Sequence, residues 1–172
     1  SWYNPGAGII KRFFWYFTNA LFFLNPWCPS SSIKVFFLRL FGAKVGKAVV
    51  IKPAVNIKYP WLLSIGNFVW IGENTWIDNL AKVTIADNVS ISQGALLLCG
   101  NHNYKKESFD LIVGEITLEE GVWIGAKSIV APGITCKSHS VLSVQSVAVK
   151  DLDAYTVYQG DPAKEIRKRL IE

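Results

Sequence analysis

The stretch LEEGVWIGAKSIVAPGITCKSHSVLSVQSVA, residues 118–148, places a small or aliphatic residue at every sixth position: Leu118, Ile124, Val130, Cys136, Leu142 and Ala148. A period of six fits neither the 3.6-residue turn of an α-helix nor the two-residue alternation of a strand. It fits a chain that turns a corner every six residues and sends one side chain inward from each flat face. Three faces close a triangular coil, so the stretch reads as a β-helix of hexapeptide repeats. Further back, Ile65, Ile71, Ile77 and Val83 form one run, and Ile85, Ile91 and Leu97 form a second that is shifted by two. Val45, Ile51, Ile57 and Leu63 carry the spacing back again, with an irregular Tyr59-Pro60-Trp61 inside it. The spacing runs to Leu97 and then breaks at LCGNHNYKKESFDLIVGEIT, residues 98–117. In a rigid coil with few loops, this segment is the candidate working part.

Outside the coil, residues 9–24 (IIKRFFWYFTNALFFL) read as a helix that stops ahead of Asn25-Pro26. They fall short of the ~20 apolar residues a bilayer span needs, and Lys11 and Arg12 lie among them. Residues 32–41 read as a second helix. Ser31 is its N-cap, Gly42 its stop, and Ile33, Phe36, Phe37, Leu40 and Phe41 share a face. Two readings of these helices stay open and can coexist. They lie on a membrane as an apolar patch through residues 9–41, or they pack on the coil and cap its end. At the far end, residues 151–156 read as a turn. Asp161-Pro162 is expected to start a short C-terminal helix, with Pro162 in its first position. The expected organisation is mainly β and one compact domain overall. It has an aromatic, basic helical segment over 1–44, a β-helix over 45–150 with the loop 98–117 inserted, and a turn and basic helix over 151–172.

Charge is divided along the chain. Eight Lys and Arg precede the first acidic residue, Glu73, whereas the remainder carries ten basic and thirteen acidic residues. Thirteen of the 23 aromatic residues also fall before Ala43, so the basic part is the greasy part. Nucleic-acid binders gather dense basic charge on one face. This pattern instead suits anionic lipid or a packing segment, and no nucleic-acid partner is expected. The three cysteines, Cys28, Cys99 and Cys136, have no paired spacing. They argue against a disulfide framework and for a reducing, cytoplasmic setting, at the inner face of the membrane if the helices meet lipid. Cys136 holds an inward repeat position and reads as buried and inert. No CxxC pair or Cys/His cluster appears, so no metal is expected. The chain starts at Ser1 and has no methionine, so the native start reads as missing, and no complete signal peptide is visible.

The repeats IGNFVW and IGENTW (65–76), the loop GNHNY (100–104), the coil VWIGAKSIVAPGIT (122–135) and the ending VKDLDAYTVYQGDPAKEIRKR (149–169) resemble the hexapeptide-repeat acyltransferases. Their fold is a left-handed parallel β-helix. Within that family the likeness is to the colanic-acid type of O-acetyltransferase from bacterial surface polysaccharide synthesis. Those also begin with an aromatic helical segment ending in a phrase like LRLFGAKVG (38–46). The resemblance covers nearly all of residues 36–169. It implies acetyl-CoA as donor, a sugar or glycan hydroxyl as acceptor, and a homotrimer with sites between adjacent subunits. The chain departs from the pattern where Lys137 and Ser143 replace a glycine after the inward residue. It departs also where Gly160-Asp161-Pro162 replaces GNP, and where Asp78 takes a glycine position in IDNLAK.

O-acetylation needs a base that takes the hydroxyl proton as oxygen attacks the thioester carbonyl, and a neutral imidazole suits this near pH 7. The chain offers His102 and His139. His102 lies in the period-breaking loop, where the resemblance also sets the family's catalytic histidine. His139 falls in a coil turn and reads as a surface residue. A metal lyase on the same coil would need about three histidine ligands per zinc, which two histidines at distant repeats do not supply. Asp78 and Asn79 either hold the acceptor, or orient His102 across a subunit boundary, or form an Asx turn at a corner. Asn101, Asn103 and Tyr104 flank His102 as acceptor contacts or as loop filler. Phe109 and Asp110 read as anchors of the returning loop. Trp123 stands just before the Ile124-Gly125-Ala126 corner, and the resemblance assigns Gly125, Ala126 and Val144 to the groove for the pantetheine arm. Lys150, Lys164, Arg167 and Arg169 are candidates for the CoA phosphates, the last three reading equally as a solvated helix face. N-acylation of an amino sugar, or a non-catalytic binding scaffold, are the alternatives to O-acetyl transfer. No phosphate-loop motif or Ser-His-Asp set is present.

Overall fold

The chain turns at each predicted corner. The computed structural model, which describes residues 3–171, is a β-helix of five complete coils and two faces of a sixth. The first face stacks Lys44–Val45, Leu63–Ile65, Val83–Ile85, Ile116–Leu118 and Thr135–Cys136 in parallel. The second stacks Val50–Ile51, Trp70–Ile71, Ser90–Ile91, Trp123–Ile124 and Val141–Leu142. The third stacks Asn56–Ile57, Trp76–Asp78, Leu96–Leu98, Ile129–Val130 and Val147–Ala148. The inward residues at six-residue steps, from Ile51 to Ala148, form one continuous buried core.

The two-residue shift in the sequence pattern has a structural cause. On the first face, Leu63 and Ile65 both point inward, as do Val83 and Ile85. Equivalent positions are therefore twenty residues apart in the early coils (Val45, Ile65, Ile85) and eighteen apart later (Leu118, Cys136). The additional residues lie at the corner between the third and first faces. There Pro60–Leu62 forms a 3-10 turn. One coil on, the buried Asn79 side chain accepts from the Tyr59 N–H at 2.9 Å and donates to the Tyr59 carbonyl at 2.6 Å.

The first coil has no coil beneath it, so its edge backbone groups need other partners. They get them from the N-terminal helices α1 (Ile9–Thr18, continued by a π-turn at Asn19–Phe23) and α2 (Ser31–Leu40). Arg39 donates to the Val45 and Gly46 carbonyls at 2.9 Å on the first face. On the second, the Ser31 hydroxyl accepts from Ile51 N–H at 3.0 Å. The buried Lys34 ammonium there donates to the Ile51 and Lys52 carbonyls at 3.3 and 2.8 Å. On the third, Trp15 Nε1 donates to the Ile57 carbonyl at 2.9 Å. Burial pulls the Lys34 pKa below its usual value. The face that α2 buries carries Lys34 and Leu38; of the five residues expected to share a face, Phe37 and Phe41 pack against the core, whereas Ile33, Phe36 and Leu40 face out. Hydrogen bonding to the coil edge outranks the apolar stripe. With Ser31 used there, Ser30 caps α2, its hydroxyl accepting from Ile33 N–H at 3.4 Å. Gly42, at φ +101°, ends the helix as expected.

The expected C-terminal helix is not formed. Thr156–Gly160 adds to the second face beside Val141–Leu142, and Ala163–Lys168 folds back antiparallel onto it. Asp161-Pro162 is the cis-peptide turn of this hairpin. The open edge of the last coil offers a ladder of backbone partners, and a helix of so few residues cannot compete with that ladder.

Candidate active site

The period-breaking segment leaves the coil at the corner between the third and first faces. Gly100–His102 pairs antiparallel with Leu111–Val113, which sets His102 opposite Leu111. The tip is closed by Asn103 N–H to the Asp110 carbonyl at 2.8 Å and Phe109 N–H to the Lys106 carbonyl at 3.0 Å. A 2.9 Å ion pair joins Lys106 to Asp110 and holds the Asp110 carboxyl below its usual range. Phe109 sits at φ +43°, strained for a residue with a side chain. Its carbonyl lies 2.8 Å from His102 Nδ1. A carbonyl oxygen only accepts, so in the neutral ring Nδ1 carries the proton and Nε2 carries the lone pair. Asn101 Oδ1 accepts from His102 N–H at 2.8 Å, and the imidazole is exposed. The loop thus presents a ring held by its far nitrogen with its basic nitrogen open.

A groove of about 720 Å³ runs along the second face to the corner it makes with the third. It brings together Trp123, Gly125, Ala126, Val144, Arg167 and Arg169, six residues named from the sequence. Trp123 is half exposed and anchored by Nε1 donating to Ser92 Oγ at 2.9 Å. Gly125 has no room for a side chain: a Cβ would stand 2.6 Å from Val144 N and 2.7 Å from the Leu142 carbonyl oxygen. Arg169 is fixed at the rim, donating to the Gly121 and His139 carbonyls at 2.8 and 3.1 Å. The groove offers an aromatic wall, apolar contact from Val144 and guanidinium charge from the last strand. An elongated ligand with an anionic end fits that set of groups.

No family model matches the chain. Over 167 residues, 96% of this chain and 91% of the relative, it is 36% identical to WcaF of Escherichia coli (strain K12), assigned to acetyl transfer in colanic acid biosynthesis. The chain belongs to the hexapeptide-repeat acetyltransferases. A galactoside O-acetyltransferase of Escherichia coli (strain K12) is 30% identical over 129 residues, 73% of this chain and 64% of that protein. The solved structure of a galactoside acetyltransferase in complex with coenzyme A matches with a TM-score of 0.82 at 25% identity, covering 92% of this chain and 80% of that one.

The remaining candidate residues of this hexapeptide-repeat acetyltransferase lie elsewhere. Asp78 is nearly buried at the root of the loop, paired with Lys58 at 2.9 Å, and its carbonyl accepts from Cys99 N–H at 3.2 Å. Asn79 spends both ends of its amide on the Tyr59 backbone. Asn103 is half-buried and Tyr104 exposed at the loop tip. Lys150 follows Val147–Ala148, and Lys164 pairs with Gln159 near the hairpin turn; both lie outside the groove. His139 sits at the corner between the first and second faces, stacked on Tyr155 at 4.8 Å. Ser92, Gln93 and Ser143 line the groove without having been named as site residues. Their signal was available: Ser92, Gly125 and Ser143 each follow an inward aliphatic residue, so they stack in register at one corner. Among the described residues, no cluster of three or more His, Cys, Asp or Glu is placed to hold a metal ion.

Proposed function

We propose that the chain is an O-acetyltransferase that moves the acetyl group of acetyl-CoA to a sugar hydroxyl in surface polysaccharide synthesis. The 2.8 Å contact between His102 Nδ1 and the Phe109 carbonyl carries the reading, because it leaves Nε2 as a free base. His102 Nε2 takes the hydroxyl proton as the acceptor oxygen attacks the thioester carbonyl. The tetrahedral adduct then collapses, the C–S bond breaks, and the imidazolium returns the proton to the departing thiolate. Such a base is worth about 10²- to 10⁴-fold, and alignment of the two substrates supplies much of the rest. The pantetheine arm lies along Trp123, Gly125, Ala126 and Val144, with Arg167 and Arg169 toward the phosphates. Asp78, Asn101, Asn103 and Tyr104 surround the acceptor, while Asn79 shapes the corner beneath them. The named roles of WcaF and of galactoside O-acetyltransferase support a sugar acceptor.

The groove and His102 leave the coil at different corners, with the third face between them. No residue of the His102 loop lines the groove, and one six-residue face of up to about 20 Å intervenes, so we read the base and the groove of one chain as serving different sites. A copy packed alongside supplies the missing half, which supports a homotrimer of left-handed coils with its sites between subunits. The free thiols of Cys99 and Cys136 accord with a cytoplasmic setting.

The test is CoA release from acetyl-CoA with free, nucleotide-linked and lipid-linked sugars, amino sugars included. Wild type should release CoA with one acceptor class, and His102→Ala should lose about 10²- to 10⁴-fold while still binding CoA. Undiminished release by His102→Ala would overturn the assignment of the base. Absence of CoA binding in wild type would favour a binding scaffold, and release with amino sugars alone would favour N-acylation.

A further inference from the structure

We propose that the N-terminal cap is a docking surface for the anionic face of a lipid bilayer. α1 buries Trp15 against the coil, but on its other side Ile10, Phe13, Phe14, Phe17 and Leu21 recur at steps of three and four, all exposed. Phe13 packs edge-on against Phe14 and Phe17 at 5.8 and 4.9 Å, which makes this a continuous aromatic surface. α2 adds the outward Ile33, Phe36 and Leu40, and Trp27 in the turn between the helices is 89% exposed. A surface helix ordinarily hides its apolar stripe against the core. Here the side facing water carries the longer stripe, and a contiguous exposed patch of this kind marks an interaction site.

Charge selects the occupant. No acidic residue occurs before Glu73, while Lys11, Arg39, Lys44 and Lys47 are exposed in and just after the helices. A second copy docked face to face would oppose these cations with like charge and no acid of the cap to offset it. Anionic lipid headgroups complement the cations, and the acyl region accepts the aromatic stripe. A groove of about 460 Å³ between α2 and residues 46–49 has both characters, lined by Phe36 and Leu40 together with Arg39 and Lys47. The helices have ten residues each, and among the described residues no helix is long and apolar enough to cross a membrane. The cap therefore lies on the bilayer, with Trp27 and Tyr16 suited to headgroup depth. Its inward side closes the end of the coil, so the apolar stripe on the outward side has no core to cover it.

The experiment is flotation of the full chain with vesicles of phosphatidylcholine, alone or mixed equally with phosphatidylglycerol. It reads binding and needs no acetyl transfer. Wild type should float with the mixed vesicles and not with the neutral ones. Phe13→Ser/Phe17→Ser should lower the bound fraction about tenfold or more, as loss of two inserted rings requires. Lys44→Glu/Lys47→Glu and added salt should each lower it several-fold. Quenching of tryptophan fluorescence by brominated phosphatidylglycerol should be partly lost in Trp27→Phe, a substitution that touches no core contact. No flotation with mixed vesicles, or flotation indifferent to both double variants, overturns the proposal. So does self-association that Phe13→Ser/Phe17→Ser abolishes in a protein that ignores vesicles; that result assigns the face to a second copy.

Discussion

The corner between the second and third faces and the corner between the third and first belong to the same coils and are built under opposite demands. The former is tight. Gly125 admits no Cβ, and Ser92, Gly125 and Ser143 stack there in register, so the groove wall is one motif repeated. The latter is relaxed. It takes in the Pro60–Leu62 turn, the Asn79 clamp and, one coil later, the hairpin that carries His102. A strict repeat makes a long surface of uniform shape, and a relaxed one makes room for an inserted hairpin. The chain keeps the two at separate corners.

The sharpest way to break this contrast is at the relaxed corner. His102→Ala should lower kcat by about 10²- to 10⁴-fold while titration calorimetry finds CoA affinity unchanged. Gly125→Val strikes the tight corner. Overpacking there should cost about 3 kcal/mol in urea unfolding, and CoA affinity should fall with it. Mixing the two inactive variants, unfolded together and refolded, tests whether the corners meet across subunits. With random assembly about a quarter of the interfaces regain an intact base and an intact groove, so activity should return to about that share. Persistent inactivity of the mixture would put both halves in one chain. Asn79→Ala leaves the Tyr59 N–H and carbonyl unpaired at a buried corner, a loss of about 1–3 kcal/mol by the same unfolding measurement. The smallest effect concerns the thiols. Burial pushes Cys99 up to about 11 and Cys136 up to about 12, so both are protonated and shielded at pH 8. Iodoacetamide should reach Cys28 first, then Cys99 at the root of the relaxed corner, and Cys136 last, as followed by mass spectrometry.

The coil was legible because its signal is repeated: each inward residue restates the period, and each is buried save the half-buried Val45 of the first coil. The shift between Val83 and Ile85 was visible as an offset, and its origin needed the strand in which both residues point inward. The loop that carries His102 was legible because a break in a strict pattern stands out. The proton on its Nδ1 was not, since that depends on where the Phe109 carbonyl turns. Basic residues after Pro162 suit a helix as well as a strand. What decided was the unpaired edge of the last coil, which no local stretch of sequence reports. The buried face of α2 is hard to read from sequence for a related reason. A lysine in an apolar helix reads as outward until carbonyls without partners call it in.

Those carbonyls have a further meaning. Stacked parallel strands are self-templating, because the last coil presents the pattern the next would copy. Trp15, Ser31, Lys34 and Arg39 occupy the positions through which another coil would join. The helices thereby give the solenoid a definite first rung, and a chain shorn of them would be a filament segment in search of its neighbour.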